Sequence, residues 1–92
     1  MTVLHASATI LNKRGLHARA SAKIVEASAR FQSEIHIIKD GTAVNGRSIM
    51  GLMMLAAAPG TSIVVSAAGP EAEAALAAIT ELVADKFHEE GI

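Results

Sequence analysis

Asp40-Gly41 stands between two short runs patterned for strand, Glu34 to Lys39 and Thr42 to Asn45. An Asp-Gly link readily supplies the positive φ angles that a two-residue hairpin needs. The two runs are therefore predicted to pair as antiparallel neighbours, with Ile35 and Ile37 on one face. A parallel layout at the centre of the chain is excluded by that turn, because parallel strands need a crossover of a dozen residues or more. Whatever flanks the hairpin has to build on an antiparallel seed.

The flanking segments supply two more strands. In residues 3–10, Leu4, Ala6, Ala8 and Ile10 point one way, while Val3, His5, Ser7 and Thr9 point the other. That alternation is the signature of a half-buried strand. Thr61 to Ala67 repeats it, with Ile63, Val65 and Ala67 on one face. Between the strands the spacing becomes helical. Ala18 to Ala29 is rich in helix formers, with Ala18, Ala22, Val25 and Ala29 on one face and Ile24 beside them. Ser48 is a helix N-cap candidate, and Pro59-Gly60 limits the following helix to a short one. Gly69-Pro70-Glu71 opens a last helix, with proline expected at its first position. There Ala72, Ala75, Leu76, Ile79, Leu82 and Val83 form a sustained apolar stripe, and fraying is expected near Glu89-Glu90-Gly91. Short links in this order predict an α+β fold of βαββαβα topology, one domain over 1–92, with helices covering one face of an antiparallel sheet.

Composition narrows the function. The only aromatics are Phe31 and Phe87, so the core must be aliphatic. A net charge of −1 and the lack of stacking platforms argue against nucleic acid as a partner. With no cysteine, disulfides and thiolate metal sites are excluded. No apolar run approaches the length of a membrane span, and the first residues lack the pattern of a signal peptide. The expectation is a soluble, cytoplasmic protein that meets no membrane. His5, His36 and His88 read as surface side chains without metal-ligand spacing to one another, and neither a metal nor a cofactor is expected.

His17 is the candidate for chemistry. It lies in Gly15-Leu16-His17-Ala18-Arg19, between a glycine turn and a helix start. The backbone N–H groups of Ala18 and Arg19 have no intrahelical partner there and face an anion readily. The positive end of the helix dipole disfavours an imidazolium, leaving the ring neutral and nucleophilic. Arg19 adds a planar cation suited to phosphate oxygens. No Asp or Glu lies near His17 in sequence, the closest being Glu26, and there is no phosphate-cradling glycine loop. The cluster thus reads as a place to hold a phosphoryl group rather than an apparatus to generate one. On spacing alone, an ordinary surface histidine is the better-supported reading.

Gly15-Leu16-His17-Ala18-Arg19, continued by Ala20-Ser21-Ala22-Lys23-Ile24-Val25, resembles the active-site signature of the HPr family. These are the phosphocarriers of the bacterial phosphoenolpyruvate-dependent phosphotransferase system. Asn45-Gly46-Arg47-Ser48-Ile49-Met50-Gly51-Leu52-Met53 resembles the family's regulatory serine segment. The resemblance implies an HPr-like open-faced β-sandwich, four antiparallel strands with three helices on one face. It implies that His17 is phosphorylated on Nδ1 by enzyme I, that an enzyme IIA domain accepts the group, and that Arg19 stabilises the phosphate. It implies regulatory phosphorylation of Ser48 by HPr kinase/phosphorylase, and docking through Ile49, Met50 and Met53. The chain would act as a monomeric covalent relay rather than a stand-alone catalyst. The alternative is a regulatory binding module of the nitrogen-branch (NPr) type, without a direct role in sugar transport. Two residues depart from the usual pattern: Ala20 stands where the family most often has proline, and Arg47 where it usually has lysine.

Ser48 by itself is explained by capping alone. Phosphate at a helix N-terminus is locally favourable, so modification there would add negative charge beside a docking surface without unfolding it. Ile49, Met50, Leu52, Met53, Met54 and Leu55 cannot all be buried by one short helix, so some must face outward.

Overall fold

A computed structural model describes residues 2–89. Along the chain it runs β1 (Val3–Thr9), α1 (Ala18–Ala29), β2 (Glu34–Lys39), β3 (Thr42–Asn45), α2 (Ile49–Met54), β4 (Ser62–Ala68) and α3 (Ala72–Ala84). A single 3₁₀ turn, Lys86–His88, follows α3. The four strands form one sheet in the order β1-β4-β2-β3, antiparallel at every pairing.

The hairpin forms as its turn residues dictate. Asp40 and Gly41 both take positive φ, 49° and 81°, and β2 pairs β3 from Lys39 opposite Thr42 to His36 opposite Asn45. β4 then lies between the two ends of the chain's strand set. It pairs Val3 to Thr9 of β1 on one side and Glu34 to Ile38 of β2 on the other. Ile35, Ile37, Ile63, Val65 and Ala67 are buried on the helix-covered face of the sheet. Ile24, Leu52, Ile79, Val83 and Phe87 meet them from the helices and the C-terminal turn. This is the antiparallel sheet with three helices on one face that the element order predicts.

Three local expectations need correction. In α1 the buried residues are Ala20, Ser21, Ile24, Ala27 and Ser28, whereas Ala18 and Ala29 are exposed and Ala22 and Val25 only partly covered. The helix turns two serines inward, and Ser21 Oγ is satisfied locally by donating to Leu16 O at 3.3 Å. Pro70 lies ahead of α3 instead of inside it, with Glu71 as the N-cap residue. The chain end also does not simply fray. After Asp85, Lys86, Phe87 and His88 take left-handed φ angles of 55°, 56° and 61°, and Phe87 is fully buried. Left-handed backbone costs a non-glycine residue roughly 1–2 kcal/mol. Burial of the Phe87 ring offsets that cost, and the turn reverses the chain toward the loop before α1. Glu90 and Gly91 lie outside the described residues.

That loop is anchored from below. Gly15 has φ +63°, and a Cβ added there would collide with Ala57 O. Leu16 N donates to the same Ala57 O at 2.9 Å, so glycine lets the two backbones touch. The arrangement places His17 at the entrance of α1 on a loop that cannot drift.

Candidate phosphoryl-acceptor site

His17 is itself the N-cap of α1. Its backbone is extended (φ −77°, ψ −177°), and its carbonyl accepts the first helical hydrogen bond from Ser21 N at 2.9 Å. Its ring caps the helix too, with Nδ1 accepting from Arg19 N at 3.3 Å. An acceptor nitrogen carries no proton, so the lone pair of Nδ1 faces the positive end of α1. The ring is partly exposed, its side chain 23% accessible. Arg19 is exposed, and among the described residues its guanidinium has no hydrogen bond or ion pair.

Ala20 is the third residue of α1, and its side chain is fully buried in the core. An N–H at that position has no intrahelical acceptor. Proline would thus break no helical hydrogen bond there. With alanine, α1 keeps one more free donor at the end that faces Nδ1.

The far side of the imidazole holds a residue that no sequence spacing indicates. Glu89 Oε2 lies 2.7 Å from His17 Nε2, 72 positions apart in the chain. The apparent lack of a carboxylate near the ring is thus corrected by the fold. Glu89 Oε1 accepts from Asn12 Nδ2 at 3.2 Å, and the same amide group donates to Gly15 O at 2.8 Å. Asn12 is fully buried. Lys23 Nζ donates to Phe87 O, tying α1 to the turn that delivers Glu89. Desolvation alone would raise the Glu89 pKa, but the hydrogen bonds from His17 and Asn12, with the charge of Lys23, hold it below its ordinary 4.5. A depressed carboxyl contributes stability above that value and loses it as pH falls through the lower folded-state value. In acid titrations followed by circular dichroism, Glu89→Gln is expected to be less stable than the parent at neutral pH. The gap should narrow below pH 4.5.

Ser48 is the N-cap of α2, its Oγ accepting from Gly51 N at 3.0 Å. Arg47 points away from it. Its guanidinium donates to Ser28 O, Phe31 O and Ser33 O at 2.8, 2.6 and 3.0 Å, closing the C-terminal end of α1. Leu52 and Leu55 enter the core, while Ile49, Met50, Met53 and Met54 are exposed on α2. Leu11, in the loop before His17, is exposed as well. The fold packs α2 directly against α1, which His17 caps. His88 pairs with Asp85 beyond α3, and His36 lies partly covered on the sheet. Among the described residues, no helix is long and apolar enough to cross a membrane.

Comparison with known proteins agrees with this geometry. A sequence model described as the PTS HPr component phosphorylation site matches residues 4–85. The chain is 47% identical to the phosphocarrier protein HPr of Neisseria meningitidis over 87 residues, covering 95% of this chain and 98% of that one. It is 42% identical to the phosphocarrier protein NPr of Shewanella violacea, covering 97% and 98%. Among solved structures, HPr from Thermoanaerobacter tengcongensis superposes with a TM-score of 0.90 at 40% identity, covering 95% of this chain and 98% of that one. With its two motifs, its strand order and these relatives in agreement, the chain belongs to the HPr family of phosphocarriers of the phosphotransferase system.

Proposed function

We propose that this protein accepts a phosphoryl group on His17 Nδ1 from phosphorylated enzyme I and passes it to an enzyme IIA domain. One observation carries the reading: Nδ1 is an unprotonated acceptor pointed at the N-terminus of a twelve-residue helix. In transfer, the bond from Nδ1 to phosphorus forms as the donor's bond to phosphorus breaks, and the ring keeps its proton on Nε2. The phosphoryl oxygens then take the place of Nδ1 as acceptor for Arg19 N and accept from the free N–H groups of Ala18 and Ala20 as well. The Arg19 guanidinium supplies a charge-assisted hydrogen bond to the same oxygens. Release to the next acceptor reverses these steps, so the protein is a relay whose chemistry is completed by each partner.

Partner docking is assigned to Ile49, Met50 and Met53, an exposed apolar surface on the helix that packs beside α1. Flexible methionines suit a surface that serves several partners in turn. Ser48 is the regulatory site, modified by HPr kinase/phosphorylase. A phosphate there adds charge beside the docking residues and opposes an acidic partner. Arg47 is engaged with the carbonyls of Ser28, Phe31 and Ser33, so it does not neutralise that charge without giving up its own partners. The protein works as a cytoplasmic monomer of one domain. The 42% identity to an NPr supports a second reading, a nitrogen-branch regulator that binds targets according to its phosphorylation state.

Purified protein incubated with enzyme I and phosphoenolpyruvate should gain one acid-labile phosphoryl group. The labelled protein, offered a sugar-type and a nitrogen-type enzyme IIA in parallel, should discharge faster to the one of its own branch. No label under these conditions would reject the carrier reading. Arg19→Ala should slow labelling about 10- to 100-fold, the worth of one hydrogen bond to a charged group. Lysine at that position should restore only part, because it lacks the planar fork. Quench-flow labelling rates provide the check.

A further inference from the structure

We propose that Glu89, held in place by the buried Asn12, is a positioning residue that fixes the tautomer of His17 so that the lone pair stands on Nδ1. The inference rests on the reading of His17 as the phosphoryl acceptor and adds the group that makes Nδ1, instead of Nε2, the reacting nitrogen.

The two ring contacts agree with only one neutral tautomer. Arg19 N is a donor 3.3 Å from Nδ1, so Nδ1 has to accept. Glu89 Oε2 belongs to an ionised carboxylate, which only accepts, so Nε2 at 2.7 Å has to donate. The opposite tautomer would set N–H against N–H at one end of the ring and a lone pair against a carboxylate at the other. A hydrogen bond to a charged group biases such an equilibrium by roughly tenfold or more.

The carboxylate is held on its other oxygen. Asn12 is fully buried, and its amide spends one hydrogen on Glu89 Oε1 and the other on Gly15 O. Turning the amide over would place its oxygen against both acceptors, so its orientation is set. Asn12 thereby ties the carboxylate to the loop that carries His17. The chain also adopts three consecutive left-handed residues, none of them glycine, to bring Glu89 there. Backbone strain kept beside a reacting group is a recurrent mark of function. Lys23, anchored to Phe87 O, and His17 are the charged or titratable groups found facing the carboxylate. Together these contacts form a carboxylate–imidazole pair of the kind that orients a nucleophile's ring, closed from behind by a buried amide.

The test is ¹⁵N NMR of the His17 ring in the full chain, at a pH above its titration in each sample, combined with labelling rates from phosphoenolpyruvate and enzyme I. The parent protein should show the proton on Nε2. Glu89→Ala should show a mixture of both tautomers and label roughly tenfold more slowly. Glu89→Gln, whose amide oxygen still accepts, should recover the Nε2–H tautomer in large part. Thermal melts establish that each variant is folded. Unchanged tautomer and rate in folded Glu89→Ala would overturn the proposal. A parent that keeps the Nε2–H form but takes no label would instead defeat the phosphoacceptor reading and leave the tautomer assignment standing.

Discussion

His17→Ala protein is expected to take up no phosphoryl group when incubated with phosphoenolpyruvate and enzyme I. The other histidines provide no substitute. His5 is on an exposed strand position, His36 is partly covered within β2, and His88 is paired with Asp85, and none caps a helix. The substitution also removes the cap that Nδ1 gives Arg19 N, worth about 1 kcal/mol. Loss of label therefore has to be separated from loss of fold. His17→Asn makes that separation, because asparagine is a favoured N-cap residue but a very poor phosphoryl acceptor. It should melt close to the parent and still take no label. Intact-mass spectrometry after a short incubation reads both variants.

Phe87→Ala should give the largest loss of stability in the molecule, about 3–5 kcal/mol, because it removes a fully buried ring. In a domain of this size that corresponds to a melting temperature lower by more than about 12 °C. The effect is not confined to stability. Phe87 is the buried anchor of the left-handed turn, and without it only the Lys23 bond to Phe87 O and the contacts of Glu89 oppose the strain of Lys86, Phe87 and His88. The turn should relax and carry Glu89 away from His17. At a temperature where the variant is still folded, its His17 ring should therefore show the tautomer mixture of Glu89→Ala. Phe87→Leu, which refills part of the space, should lie between the two on both measures. A strongly destabilised Phe87→Ala that retained the parent ring signature would separate the turn's packing role from its role at the site.

The hairpin was fully legible because its turn chemistry is local: Asp40-Gly41 sets the register, and β2 and β3 have the bounds expected from the residues on each side. The candidate site was legible on its near side for the same reason. Gly15, His17, Ala18 and Arg19 are consecutive or nearly so, and a helix start organises them without help from the rest of the chain. The buried face of α1 was not legible. Alanines occur all round that helix, and Ser21 and Ser28 face inward where an apolar stripe was sought. The far side of the site was hidden for a different reason. Glu89 reaches His17 across 72 residues through a left-handed turn made by Lys86, Phe87 and His88, where no Gly, Asn or Asp marks positive φ. The one available signal was Phe87. A large aromatic ring near the end of a chain with an aliphatic core gains most by burial, and burying it brings the chain end back onto the fold.

Relay through this protein requires Nδ1 of His17 to be the atom that carries the phosphoryl group. Protein labelled with ¹⁵N in its histidines and phosphorylated from phosphoenolpyruvate should show phosphorus coupling at Nδ1 of His17, with the proton retained on Nε2. Coupling at Nε2 of His17, or at any nitrogen of His5, His36 or His88, would contradict it.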